Sequence, residues 1–124
     1  DDETPWCGVA VAAWMEAVGV KLPANWMRAK AWLDWGTPLS APAVGCVGVF
    51  TREGGGHVGL VVGRDTRGRL MVLGGNQGNA VNVSPFDLSR VAGYRWPPVG
   101  SRPEAGWGTL PTMAATQASS TNEA

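Results

Sequence analysis

Five short β-prone runs crowd into the middle of this chain, and their spacing limits its fold more than any other feature. They are CVGVFT at 46–51, HVGLVVG at 57–63, RLMVLGG at 69–75, AVNVS at 80–84 and VAGYRW at 91–96. REGGG, RDTRG and NQGN lie between the first four and are turn material. Parallel neighbours would need crossovers of about a dozen residues or more, so consecutive runs must pair antiparallel. Ahead of them, WCGVAVAAWMEAV at 6–18 is apolar on most faces and predicts a buried helix ended by Gly19. Asn25 can cap a second helix over 26–34, WMRAKAWLD. TPLSAPAVG at 37–45 reads as a connector. The pattern predicts the α+β class, with N-terminal helices packed on a four- or five-stranded antiparallel sheet.

With 124 residues the chain can hold one buried core. Residues 1–100 read as that domain, and the Ser/Thr/Ala-rich stretch 101–124 as a flexible tail or linker in which Trp107 and Leu110 can dock locally. Ten basic residues balance ten acidic ones, which argues against a nucleic-acid binder or a polybasic membrane-surface module. No apolar run approaches the roughly 18 residues of a membrane span. With one histidine and two cysteines, a four-ligand zinc site of Cys and His is one ligand short. GGNQG lacks the spacing of a dinucleotide fingerprint and opens no clear helix. No metal and no cofactor is expected. Seven tryptophans are a heavy load for this length and suit a core or a groove. The chain opens on Asp1 rather than Met, as a processed product or a piece of a longer protein would.

Three residues could carry chemistry. Cys7 falls at the start of the first helix, where unpaired N–H groups and the helix dipole favour a thiolate, the reactive form. The plain alternative is a small buried hydrophobe. His57 follows three glycines and opens a strand, where it could pair with Cys7 as a base; otherwise it is a hydrogen-bonded or surface histidine. Asn76 ends the next run, which returns toward His57, so its amide could orient the imidazole. Gln77, Asn79 and Asn82 are rivals for that role, and turn chemistry explains the asparagines equally well. Cys46 has apolar neighbours and reads as a packed thiol rather than the partner of a disulfide to Cys7. Trp6, beside Cys7, is placed to line a groove.

TPWCGVAVAAWMEAVGV, AKAWLDWGTPL, GHVGLVVG, VLGGNQGNAVNVSPF and GYRWP follow one another in that order. Together they resemble a phage-associated and bacterial family of small cysteine hydrolases related to the NlpC/P60 and CHAP domains, over about residues 2–97. The resemblance implies a papain-like fold and hydrolysis of an amide bond in peptidoglycan, by an N-acetylmuramoyl-L-alanine amidase or a stem-peptide endopeptidase. It implies Cys7 as nucleophile, His57 as general base and Asn76 as orienting residue. Related CHAP domains often place Glu two residues before that Asn, where this chain has Gly74. They often carry a Pro-Gly-Asp turn where it has Ala43-Val44-Gly45-Cys46.

A substrate groove is expected beside Trp6, Asp2, Glu3 and the 52–56 loop, with Asp2 or Glu3 either meeting a substrate amine or capping the helix. Action on the bacterial cell wall follows, from the periplasm, the cell exterior or a larger phage or virion assembly. The competing readings are a cysteine-dependent effector or deamidase acting on a protein, and a non-enzymatic wall-binding phage structural module.

Overall fold

The computed structural model describes residues 4–76 and 80–114, and the side chains of 6–75 and 80–114. The Ala-rich segment forms α1, Thr4–Ala17, with Pro5 in its first turn, where a missing N–H costs nothing. Gly19 ends it in the left-handed region (φ 79°), its N–H donating to the Glu16 carbonyl.

The second expected helix is shorter and tighter: only Ala29–Asp34 is helical, as a 3-10 segment. Arg28 before it is extended (φ −98°, ψ 127°) and provides no side-chain cap. Tertiary anchoring overrides helix propensity here. Trp32 Nε1 donates to the Trp26 carbonyl at 2.9 Å, and Trp35 Nε1 to the Lys21 carbonyl at 2.6 Å. The two indoles meet edge-on, 4.9 Å between centroids.

The five runs become β2 (Val47–Arg52), β3 (Gly55–Arg64), β4 (Leu70–Asn76), β5 (Ala80–Phe86) and β6 (Val91–Trp96). A sixth strand, β1, comes from the expected connector at Thr37–Leu39 and pairs with β6. Its Pro38 reads as a turn residue in sequence, yet proline is tolerated on an edge strand, and β1 is an edge. The pairings between these six strands are antiparallel, in the order β1-β6-β2-β3-β4-β5.

Both faces of this sheet are covered. On one, Cys7, Val11, Ala12 and Met15 of α1 and Trp32 and Trp35 pack on Val47, Val49 and Val58. On the other, Phe50, Val61, Leu70, Val72 and Phe86 form a second core with Ala43, Cys46 and Leu110. Leu110 lies in the stretch expected to be a flexible tail. The packed part of the chain continues past residue 100 as a strap. The Arg64 N–H donates to the Pro111 carbonyl, the Met113 N–H to the Arg64 carbonyl, and Arg64 Nε to the Leu110 carbonyl at 3.1 Å. The Arg64 guanidinium lies over Trp107, 5.6 Å from the ring centroid. At Gly63 a side chain has no room: an added Cβ would sit 2.7 Å from the Pro111 carbonyl oxygen and 2.6 Å from Met113 Sδ. Residues 115–124 of the expected tail lie outside the described residues.

The strap should therefore contribute to stability. Leu110→Ala is expected to cost about 2–5 kcal/mol and Gly63→Ala about 1–3 kcal/mol in urea unfolding. Gly100→Ala, with open space around its Cβ position, should change stability by less than about 0.5 kcal/mol. Three near-zero values would mean that the strap is not packed in solution.

Candidate active site

β3 carries the site because successive side chains leave a strand on opposite sides. Val58 faces the helix-side core. His57, paired with Phe50 across β2, faces the other core. Its ring stacks on Phe86 at 4.8 Å and 15°, with Phe50 at 6.3 Å. Cys7, the fourth residue of α1, is 1 % exposed, in the helix-side core. The backbone of Val58 hydrogen-bonds its thiol. The structure thus brings Cys7 to the residue following His57, but the thiol and the imidazole stand on opposite sides of β3.

The sheet changes at this point. β3 pairs with β2 as far as Arg52↔Gly55, and β4 pairs with β5 as far as Asn76↔Ala80. Between β3 and β4 the pairing runs from Arg64↔Leu70 only to Leu60↔Leu73. The ends that carry His57 and Gly74–Gly75 are thus held by their outer neighbours. The start of α1 is seated here: a Cβ on Gly75 would lie 3.0 Å from Ala10 Cβ and 3.2 Å from the Trp6 carbonyl oxygen. On the other side, a Cβ on Gly74 would lie 3.0 Å from His57 Nε2. At Gly74 the imidazole thus occupies the space that a side chain would need.

Burial dominates the titration of both groups. It pushes the Cys7 thiol above its ordinary value. The Val58 backbone, the Arg52 charge and the N–H groups of Gly8 and Cys7 pull the other way and are outweighed. The helix-start effects expected to favour the thiolate are present, but they do not win. Burial, then the charges of Arg52 and Arg90, lowers His57 to about 4. At neutral pH the resting state is a thiol and a neutral imidazole.

A pocket of about 200 Å³ opens beside His57, lined also by Arg52, Gly74, Asn82, Ser84 and Phe86. Asn82, one of the rivals weighed for the orienting role, lines it, and its Oδ1 accepts from the Ser84 hydroxyl at 3.1 Å. Asn76 closes β4, but its side chain lies outside the described residues, as do Gln77 and Asn79. Asp2 and Glu3 also lie outside them. Trp6 is half-buried, with its carbonyl against Gly75. Cys46 is buried in the second core, its thiol pushed up to about 11 by burial, and no disulfide joins it to Cys7.

Ser84 and Phe86 were not singled out from sequence, and Arg52 entered only as the first residue of the 52–56 loop. REGGG reads as a turn, and Pro85 reads as the end of a strand that runs on to Phe86. The signal that could have found them is register, because Ser84 faces Val72 and Asn82 faces Gly74. Among the described residues no three His, Cys, Asp or Glu side chains converge as metal ligands, and no helix is long and apolar enough to cross a membrane. Comparison with protein-family models, curated proteins and solved structures gives no match.

Two measurements follow. Iodoacetamide should modify Cys7 slowly at pH 7 and faster as pH rises above the ordinary thiol value of 9.0. Fast labelling below pH 8 would contradict the buried thiol. His57 binds fewer protons in the folded than in the unfolded chain between its ordinary value of 6.5 and about 4. Stability is therefore full above pH 6.5 and falls as pH drops toward 4, by up to about 3 kcal/mol. His57→Phe should flatten that segment of the stability–pH curve, and an unchanged slope would contradict the assignment.

Proposed function

We propose that the protein is a peptidoglycan hydrolase that cleaves an amide bond in or next to the stem peptide, with Cys7 as nucleophile and His57 as general base. The observation that carries this reading is the position of Cys7: in the first turns of a helix, held by the backbone of Val58, at the point where β3–β4 pairing stops. The sequence resemblance supports the same pair and adds the papain-like fold and Asn76 as the orienting residue.

Because the resting imidazole is neutral, it begins as a base. The Cys7 proton passes to His57 as the sulfur attacks the scissile carbonyl carbon, which requires ring and thiol to approach at the open end of β3 and β4. Backbone N–H groups at the start of α1 are the donors nearest the developing oxyanion. The tetrahedral species collapses, the C–N bond breaks, and His57-H⁺ gives its proton to the leaving amine. A thioester remains on Cys7. Water, losing a proton to neutral His57, then cleaves it to a carboxylic acid and restores the thiol.

The raised thiol and the separate polar pocket favour a second reading, the non-enzymatic wall-binding module. Digestion of purified sacculi, with mass spectrometry of the released fragments, separates the two. Wild type should release fragments with new amine termini, whose identity distinguishes amidase from endopeptidase. Cys7→Ala should fold and bind but lower release by at least about 10³-fold. Release by Cys7→Ala at the wild-type rate would refute the cysteine mechanism. Binding with no release by either protein would favour the module.

A further inference from the structure

The His57 ring rests on an aromatic support that the hydrolytic steps do not name. Phe86 lies 4.8 Å from it and within 15° of parallel, so the two rings stack. Phe50, its cross-strand partner on β2, is farther off and tilted, at 6.3 Å and 42°. Phe86 closes β5, is buried, and is held in turn by two neighbours. The Phe50 ring lies 4.6 Å from it, and the Arg90 guanidinium 4.9 Å from its centroid. Arg90 is fixed from β2: its Nε donates to the Thr51 carbonyl at 2.9 Å, and the Thr51 hydroxyl donates to the Arg90 carbonyl at 3.3 Å. The support thus returns to the residues next to Phe50, on the strand that pairs with His57 itself.

We propose that Phe86 is a positioning residue for the general base, its ring fixing the plane of the His57 imidazole and directing Nε2 to the strand end at Gly74. The χ2 torsion of a histidine is broad, so the side chain's own torsion fixes that plane weakly and a flat neighbour can fix it well. In the stacked position Nε2 is the ring atom nearest to where a Gly74 Cβ would stand, at 3.0 Å, with Cε1 at 3.3 Å. Gly74 belongs to the stretch of β4 where pairing with β3 has stopped and where thiol and ring must approach. A ring turned out of the stack would carry Nε2 off that line, whichever group bonds the other nitrogen. The π face also favours the imidazolium formed when His57 takes the Cys7 proton. The assignment rests on the proposed function, since it supposes that His57 acts as a base.

The test joins a spectrum to a rate. His57 is the chain's only histidine, so its ring protons are assigned in NMR without ambiguity. In the wild type they should lie upfield of their positions in the urea-unfolded chain and show cross-relaxation to the Phe86 ring protons. Phe86→Leu should move them downfield, and Phe86→Tyr should leave them near the wild-type position. In turnover of a soluble disaccharide-peptide prepared from sacculi, at pH 7, Phe86→Leu should lower kcat by about tenfold or more and change KM by less than about twofold. Phe86→Tyr, which keeps the ring, should stay within about threefold of the wild-type kcat. A packing role alone would lower stability, leave kcat of the folded protein unchanged and give tyrosine no advantage over leucine. Phe86→Met is the alternative ringless variant if Phe86→Leu does not fold.

No cross-relaxation between His57 and Phe86 in the wild type, or wild-type kcat in a folded ringless variant, would overturn the role. So would a rise in kcat, which would mean that the stack holds the imidazole off the thiol. Hydrolysis by the wild type that a ringless variant matches defeats this inference alone. A wild type that hydrolyses nothing defeats the proposed function, and this role falls with it.

Discussion

The alternation of side chains along β3 is the constraint on which the rest of the molecule depends. It makes one strand the wall between two cores. Val58 packs under α1, while His57 and Val61 face the aromatic core closed by Leu110. Neither core could be lost without exposing the other's wall, because β2 and β3 are buried on both faces. Cys7 and His57 inherit their surroundings from this arrangement. Each is desolvated by its own core, one thiol is held up and one imidazole is held down, and both remain uncharged at neutral pH.

A buried neutral pair suits a site that becomes charged only during reaction. Under the proposed reaction, charge separation at rest would cost the burial of two ions, whereas transfer of a proton during attack places charge only while it is needed. The glycines of β4 matter for the same reason. Gly74 leaves room for the imidazole, and Gly75 leaves room for the backbone of α1, so both partners approach the same strand end from different sides. The strap at 106–113 acts at a distance, closing the core that supports Phe86 and therefore the ring stacked on it.

Much of this was legible in the sequence. The five runs, their antiparallel pairing and the buried first helix follow from spacing and composition, and the strand limits differ from those expected by a residue or two. β1 was hidden by Pro38, whose edge position could not be known before the pairing was. The second helix shrank because Trp32 and Trp35 answer to carbonyls elsewhere in the chain rather than to local propensity. The strap was hidden by its polar composition, since only Leu110 and Trp107 mark its docking. At the site, residue types pointed to Cys7 and His57, but the face of each did not. Val58 and Leu60 turn to one core and Val61 to the other, so a strand buried on both sides gives no clean alternation to read. Phe86 was invisible for a related reason: it joins the site through cross-strand register, which no local pattern states.

The most direct test of the central claim is an acid-quenched intact-mass measurement during digestion of a soluble disaccharide-peptide prepared from sacculi. An acyl group should appear on the protein, map to the segment containing Cys7, and disappear as substrate is exhausted. Hydrolysis with no such adduct, or with an adduct on Cys46 that survives in Cys7→Ala, would contradict the account.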